Sequence, residues 1–226
     1  MAFTLSRVVP WGRNMSEYRL MFNLSDSDMK LKIAGFGDGP ASFNCEASAL
    51  GCDVTSFDPI YRFSAEKIAA RIEETRSTVM KQMSENLDNY IWNTIKSLDE
   101  LENIRMSAMR LFLSDYEKGR REGRYVAHEL PKKLPYECGA FDLGLSSHFL
   151  LMYASLGYDF HIKAMLEMLR VCREIRIFPI VDLNANKTEL ANEVISYFRT
   201  DYDVNICSTK YAFQKGENKL LTIKYR

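Results

Sequence analysis

The chain has 226 residues, 46% of them hydrophobic and 12% aromatic, which is enough for one large domain with a real core. Thirty basic residues balance thirty acidic ones, so the formal charge is zero and a dedicated nucleic-acid binder is disfavoured. Neither a signal peptide nor an apolar run of the roughly 18 residues that span a membrane is evident. The five cysteines form no CxxC pair, which predicts free thiols in a cytoplasmic protein without a metal site.

The chain opens on an alternation of strand and helix. The apolar run 31–36 predicts a buried parallel strand that ends in glycines. A helix is predicted over 40–50, with Pro40 at its first position and Gly51 at its stop. Residues 53–58 then predict a second strand. Strand, glycine-rich turn, helix and strand together make one right-handed βαβ unit.

Two segments lie outside this alternation. Residues 1–30 are polar with a few spaced aromatic residues, which predicts a short helical cap. Residues 64–122 predict a helical insertion, because a simple crossover between parallel strands needs only about a dozen residues. Ser64 is the expected N-cap of its first helix. An apolar stripe from Ile68 to Ile95 predicts that this helix is about 30 residues long.

After the insertion the alternation resumes. The predicted strands are 124–130, 141–146 and 174–183, and the predicted helices run from Asp159, as a cap, to Cys172 and over 188–199. Two further strands flank the turn-like residues 214–218 and are expected to pair as a hairpin.

The strongest functional signal is the loop after the first strand. Gly35, Gly37 and Gly39 alternate there, and residues without a side chain allow a tight turn and a close approach to a ligand. The following helix start offers unpaired N–H groups to an anion. Asp58 ends the second strand, where a carboxylate accepts hydrogen bonds from a ribose diol. The alternative is that Asp58 is only a turn residue before Pro59.

A dinucleotide fingerprint, GxGxxG, would need a glycine where this chain has Pro40, so the motif here is GxGxG. This spacing, together with Asp58 at a strand end, resembles the S-adenosylmethionine site of class I Rossmann-like methyltransferases. The resemblance covers 31–226 apart from the insertion, and includes 141–150 and the closing strands. The runs around the glycine loop also resemble a bacterial subgroup of that family.

The resemblance implies a single domain over 1–226. Its fold would be a three-layer α/β sandwich whose mainly parallel sheet carries an antiparallel C-terminal strand, with the helical insertion between strands two and three. The implied cofactor is S-adenosyl-L-methionine. The residues expected to bind it are Gly35, Gly37, Gly39, Asp58, Pro59, Glu129 and Ser146.

One departure from the family pattern concerns the methionine end of the cofactor. The family usually has an acidic residue two positions before the first glycine, and this chain has Ile33 there. We therefore expect backbone carbonyls near Gly35 or the hydroxyl of Ser146 to receive the amino group. Glu129 is the nearest candidate for the adenine-binding acid.

Methyl transfer from a sulfonium depends mainly on alignment, and a general base is needed only when the acceptor is protonated. His148 and Tyr153, after the 141–146 strand, are the candidates for the acceptor side, and a structural role in the core is the alternative. Trp11 and Tyr18 are candidates to cover the cofactor. The expected acceptor is a small molecule, and the insertion is a candidate oligomer contact. The rival interpretations are a non-catalytic cofactor-binding module and a nucleotide-dependent oxidoreductase.

Overall fold

The computed structural model describes residues 10–216 and 218–226. The strands are β1 (Ile33–Phe36), β2 (Val54–Asp58), β3 (Tyr125–Ala127), β4 (Phe141–Ser147), β5 (Cys172–Phe178), β6 (Tyr202–Ser208) and β7 (Lys219–Tyr225). The α-helices are α1 (Met15–Met21), α2 (Phe43–Ala49), α3 (Ala65–Ser84), α4 (Leu98–Arg121), α5 (Tyr158–Val171) and α6 (Glu189–Asp201). In these described ranges, no helix has the length and apolar character needed to cross a bilayer.

The strands form one sheet in the order β3-β2-β1-β4-β5-β7-β6. Strands β1 to β5 run parallel to their neighbours, whereas β7 is antiparallel to both β5 and β6. The predicted fold class, a mainly parallel α/β sheet with an antiparallel C-terminal strand, is therefore confirmed, and it is consistent with the class I methyltransferase fold. Strand β1 lies between β2 and β4, so the glycine loop leaves the sheet at its centre.

The sheet is covered on both faces, which explains why β1 is apolar throughout. Successive residues of β1 point to opposite sides. Ala34 and Phe36 belong to a core with residues of α5 and α6, and Ile33 belongs to a second core with residues of α1 and α2. Ile33 is fully buried among apolar side chains, so an ionised carboxylate at this position would lose its hydration.

Helices α3 and α4 occupy most of the predicted insertion, and Ser64 caps α3 by accepting a hydrogen bond from the Lys67 N–H. The prediction of one helix of about 30 residues is wrong, because α3 ends at Ser84. Beyond it, the Ile91 N–H donates to the Phe213 carbonyl at 2.6 Å, and Tyr90 forms a β-bridge with Gln214. Pairing with a distant segment therefore overrides the helical period of the local sequence.

Several predicted boundaries also differ from the structure. Strand β3, predicted over 124–130, is limited to Tyr125–Ala127. Helix α2 begins at Phe43, so Pro40 lies in the preceding turn and not at the first helical position. Gly157, not Asp159, is the N-cap of α5, and no side chain caps that helix. Strand β5 ends at Phe178, because the next residue is a proline and has no N–H to donate to a neighbouring strand.

Candidate functional site

A cavity of about 350 Å³ lies at the carboxyl ends of the parallel strands. Its wall includes the glycine loop after β1 and the residues that follow β2, β3 and β4. Ligands of open α/β sheets bind at this edge, where the strand order reverses on either side of β1. The volume lies within the range of small-molecule sites.

The glycine loop has a backbone that other residues would not tolerate. Gly37 and Gly39 both have positive φ, +69° and +54°. A Cβ on Gly37 would lie 2.7 Å from Cδ1 of Phe149, and one on Gly35 would lie 1.8 Å from a carboxylate oxygen of Asp38. The first contact crosses to the residues after β4, and the second occurs because the Asp38 side chain folds back over β1. Gly37 and Gly39 therefore fit a loop that packs against its neighbours and borders the cavity, whereas Gly35 lies within β1 and is not among the lining residues.

Asp38, between the second and third glycines, is a site residue that the sequence analysis missed. Its carboxylate accepts hydrogen bonds from the Tyr18 hydroxyl at 2.8 Å and from the Ser56 hydroxyl at 2.6 Å. Burial raises the pKa of Asp38 to about 6, although these two hydrogen bonds act to lower it. Asp38 thus gives the loop a buried acidic group that Ile33 does not supply. The sequence offered one signal for this residue, namely an acidic side chain inside the glycine motif.

Asp58 ties the end of β2 to the glycine loop. One carboxylate oxygen accepts from the Gly39 N–H at 2.9 Å and the other from the Ile60 N–H at 2.8 Å. Burial raises the pKa of Asp58 to about 6, against the effect of those two N–H groups. Each oxygen can accept a second hydrogen bond, so the carboxylate retains capacity for a ligand. Pro59, the next residue, starts a short 3₁₀ turn and also lines the cavity.

Two predicted binding residues, Glu129 and Ser146, are less favourably placed to bind a ligand in the cavity. Glu129 lies in the cavity wall but is largely exposed, and it pairs with Lys132 at 2.7 Å. Ser146 is fully buried in β4, and the cavity wall at that strand end is formed by Ser147 and His148. The expectation that the Ser146 hydroxyl receives a ligand group stays a prediction: Ser146 is not among the lining residues, and its buried hydroxyl has no hydrogen-bond partner in the described part of the chain.

His148 and Tyr153 are brought together in the cavity wall. The His148 backbone has φ +53°, and its N–H donates to the Phe178 carbonyl at 2.7 Å. The ring Nδ1 lies 2.9 Å from the Ser147 hydroxyl oxygen, which orients the imidazole. Tyr153 is 7% exposed and directly precedes a 3₁₀ turn. The chain turns after β4, and Tyr153 thereby reaches the same cavity wall as His148.

A buried polar network lies behind the cavity wall, to which Arg105 belongs. The Arg105 guanidinium on α4 donates to the Glu17 carboxylate on α1 at 2.6 Å and to the Tyr211 hydroxyl at 3.2 Å. Arg105 is 1% exposed and Glu17 is 7% exposed. Burial raises the pKa of Glu17, but the Arg105 charge and hydrogen bond outweigh it and the net shift is downward. The network joins three distant chain segments, so no local sequence pattern indicated it.

Trp11 and Tyr18, the predicted covering residues, also line the cavity. Together with Val79, Met83 and Leu101 of α3 and α4 they form a mostly apolar part of the cavity wall, which we call the cover. Among the described residues there is no cluster of three His, Cys, Asp or Glu side chains that could hold a metal ion. The site therefore combines a side-chain-free loop, two buried carboxylates and a histidine in one partly enclosed space.

No protein-family model matches the chain. In solved structures, the similarity extends to Thermoplasma acidophilum 1320, at 10% identity, 93% and 89% coverage of the two chains and a TM-score of 0.47. A putative S-adenosyl-L-methionine-dependent methyltransferase from Methanococcus maripaludis matches at 11% identity, 93% and 83% coverage and a TM-score of 0.39. At these identities and TM-scores the similarity carries no argument about activity.

A sequence relative is much more similar. The uncharacterized protein MJ0045 of Methanocaldococcus jannaschii is 34% identical over 222 residues, which cover 97% of each chain. This relative is archaeal, so the resemblance to a bacterial subgroup stays a prediction. Identity at this level along nearly the whole length implies common descent and a shared fold. The chain therefore belongs to the same family as MJ0045.

Proposed function

We propose that the cavity binds S-adenosyl-L-methionine and that the protein transfers its methyl group to a small-molecule acceptor. One observation carries the proposal: the Asp58 carboxylate at the end of β2 is hydrogen-bonded to the Gly39 N–H, so the glycine loop and the expected ribose acceptor form one unit that borders the cavity. The GxGxG spacing and the mainly parallel sheet around β1 support it.

In this proposal each part of the wall has a defined task. The bound cofactor supplies an electrophilic methyl group on a sulfonium. Asp58 accepts hydrogen bonds from the ribose hydroxyls, and the loop backbone at Gly37 permits close approach. The apolar cover excludes water and so keeps the reacting groups aligned. His148 takes a proton from the acceptor where the acceptor is protonated, and Tyr153 orients it.

A small-molecule acceptor is supported by the cover over the cavity. Side chains of α3 and α4, including Val79, Met83 and Leu101, line the wall together with Phe213. Such a partly enclosed, mostly apolar space suits a compact ligand better than a polymer strand. The zero formal charge of the chain also disfavours a nucleic-acid acceptor.

A non-catalytic cofactor-binding module is the second candidate. A cavity without polar residues beyond the glycine loop would favour such a module. The cavity wall instead contains His148 and Tyr153, and these polar side chains favour an enzyme. A nucleotide-dependent oxidoreductase is disfavoured by Pro40, which occupies the third glycine position of the dinucleotide motif.

Isothermal titration with S-adenosylhomocysteine and with NADH tests the binding step. We expect the wild type to bind S-adenosylhomocysteine and not NADH. Asp58→Ala should weaken that binding about 10- to 150-fold, as expected for a lost hydrogen bond to a charged group. Asp53→Ala, at the exposed opposite end of the same strand, is the matched control and should bind like the wild type.

The outcomes separate the candidates. Binding of NADH alone would reject the methyltransferase and favour the oxidoreductase. Equal affinity in Asp58→Ala and the wild type would mean that the cofactor lies elsewhere. With binding established, release of S-adenosylhomocysteine in the presence of a panel of small acids, phenols, amines and thiols separates the enzyme from the module.

A further inference from the structure

Most charged groups of the cavity wall already have hydrogen-bond or ion-pair partners within the protein. Glu129 pairs with Lys132, and Arg105 pairs with Glu17. Asp38 and Asp58 each accept two hydrogen bonds from neighbouring hydroxyl or N–H groups. The remaining charged side chain in the wall is Arg13, in the segment before α1.

Arg13 has a poorly satisfied guanidinium. Its Nη1 donates to the Trp11 carbonyl at 3.2 Å. Its Nε is buried and has no hydrogen-bond partner among the residues that the structure describes. Within 10–216 and 218–226, no carboxylate forms an ion pair with it. A buried donor without an acceptor costs free energy, so this side chain is complementary to an acceptor that the described part of the chain does not provide.

The neighbours of Arg13 indicate on which side of the cavity this residue lies. It lies one turn before Glu17 and Tyr18, and its charge acts to lower the pKa of both residues, although burial is the largest influence on each. Tyr18 in turn donates to Asp38 in the glycine loop. Arg13 is therefore close to the loop, on the side of the cavity that α1 covers.

We propose that Arg13 binds the carboxylate of a ligand in this cavity. A guanidinium presents its N–H donors in a planar fork that matches the two oxygens of a carboxylate, and such pairs are stronger than neutral hydrogen bonds. Arg13 supplies the positive charge for this pair, and its side chain lines the cavity. The carboxylate belongs either to the amino-acid end of the cofactor, which rests on the proposed function, or to the acceptor.

Three probes separate these sources. S-adenosylhomocysteine carries a carboxylate, and 5′-methylthioadenosine has the same nucleoside and thioether without the amino-acid end. The third probe is 3-phenylpropionate, compared with 3-phenylpropionamide, for an apolar acid in the acceptor region. Affinity is measured by titration and by thermal shift for the wild type, Arg13→Met and Arg13→Lys. Arg19→Met is the matched control, because Arg19 on α1 pairs with Asp26 at the surface.

We expect Arg13→Met to bind S-adenosylhomocysteine about 10- to 100-fold more weakly, with unchanged affinity for 5′-methylthioadenosine. That result would identify the carboxylate of the cofactor as the group that Arg13 binds. Unchanged affinity for both nucleosides, with loss of the 3-phenylpropionate shift, identifies an acceptor carboxylate. Arg13→Lys keeps the charge but not the fork, so it should give an intermediate loss, and it decides the matter if Arg13→Met does not fold.

Two results would overturn the proposal. One is wild-type behaviour of Arg13→Met toward all three probes. The other is equal weakening of both nucleosides, since 5′-methylthioadenosine has no carboxylate to lose. If the wild type binds neither nucleoside, the proposed methyltransferase function fails, and the 3-phenylpropionate comparison still decides whether Arg13 binds a carboxylate.

Discussion

Replacing Asp38 by asparagine should make the ligand-free protein more stable, and only above about pH 5. Asp38 is 8% exposed, and burial raises its pKa from 3.8 to about 6. The native state therefore binds a proton more readily than the unfolded state does. Stability is lost as pH rises from about 4 through 6, because the carboxylate must ionise without its hydration. Asparagine has nearly the same shape and does not ionise.

The magnitude follows from the shift. A difference of about 2 pKa units at about 1.4 kcal/mol each gives a penalty of about 3 kcal/mol once the pH exceeds both pKa values. The Tyr18 and Ser56 hydroxyls can donate or accept, so they can keep their hydrogen bonds to an amide. Asp38→Asn should then match the wild type near pH 4 and exceed its free energy of unfolding by up to about 3 kcal/mol at pH 8.

Urea unfolding followed by circular dichroism at pH 4, 5, 6, 7 and 8 measures this difference directly. Asp26→Asn is the control, because the Asp26 side chain is 88% exposed and its pair with Arg19 should contribute less than about 1 kcal/mol at any pH. A difference between Asp38→Asn and the wild type that does not change with pH would refute the reasoning. So would a variant that is less stable than the wild type at pH 8.

Three further outcomes are expected. Gly37→Val should lower the melting temperature and the affinity for S-adenosylhomocysteine, because the backbone has positive φ and a Cβ would lie 2.7 Å from the ring of Phe149; titration and thermal melting of the variant check both. His148→Ala should leave that affinity and the melting temperature unchanged while turnover, once an acceptor is found, falls about 10²- to 10⁴-fold; a large drop in melting temperature would instead assign His148 to the core. Arg105→Met should cost about 3–5 kcal/mol in urea unfolding, since it strands Glu17 as a buried charge, and the double variant with Glu17→Gln should recover part of the loss; additive losses would contradict a coupled pair.

The sequence by itself determined the features that depend on neighbouring residues. The apolar run that became β1, the glycine loop after it and the carboxylate of Asp58 at the end of β2 all follow from local patterns. So do the cap of α3 at Ser64 and the closing hairpin, whereas the antiparallel last strand in a mainly parallel sheet was expected from the resemblance to a known family. These features were predictable because hydrogen bonding within a turn and the alternation of apolar residues act over a few positions.

Tertiary structure decided the rest of the site. Helix α3 ends at Ser84 because residues 90–91 pair with 213–214, and that contact outweighs the helical period of the apolar stripe. Arg105 meets Glu17 across 88 residues of sequence, and no local pattern encodes such a meeting. Ser147 rather than Ser146 lines the cavity because the register of β4 in the sheet sets which side chain faces out. The sequence placed the glycine loop, but long-range packing determined which buried groups surround it.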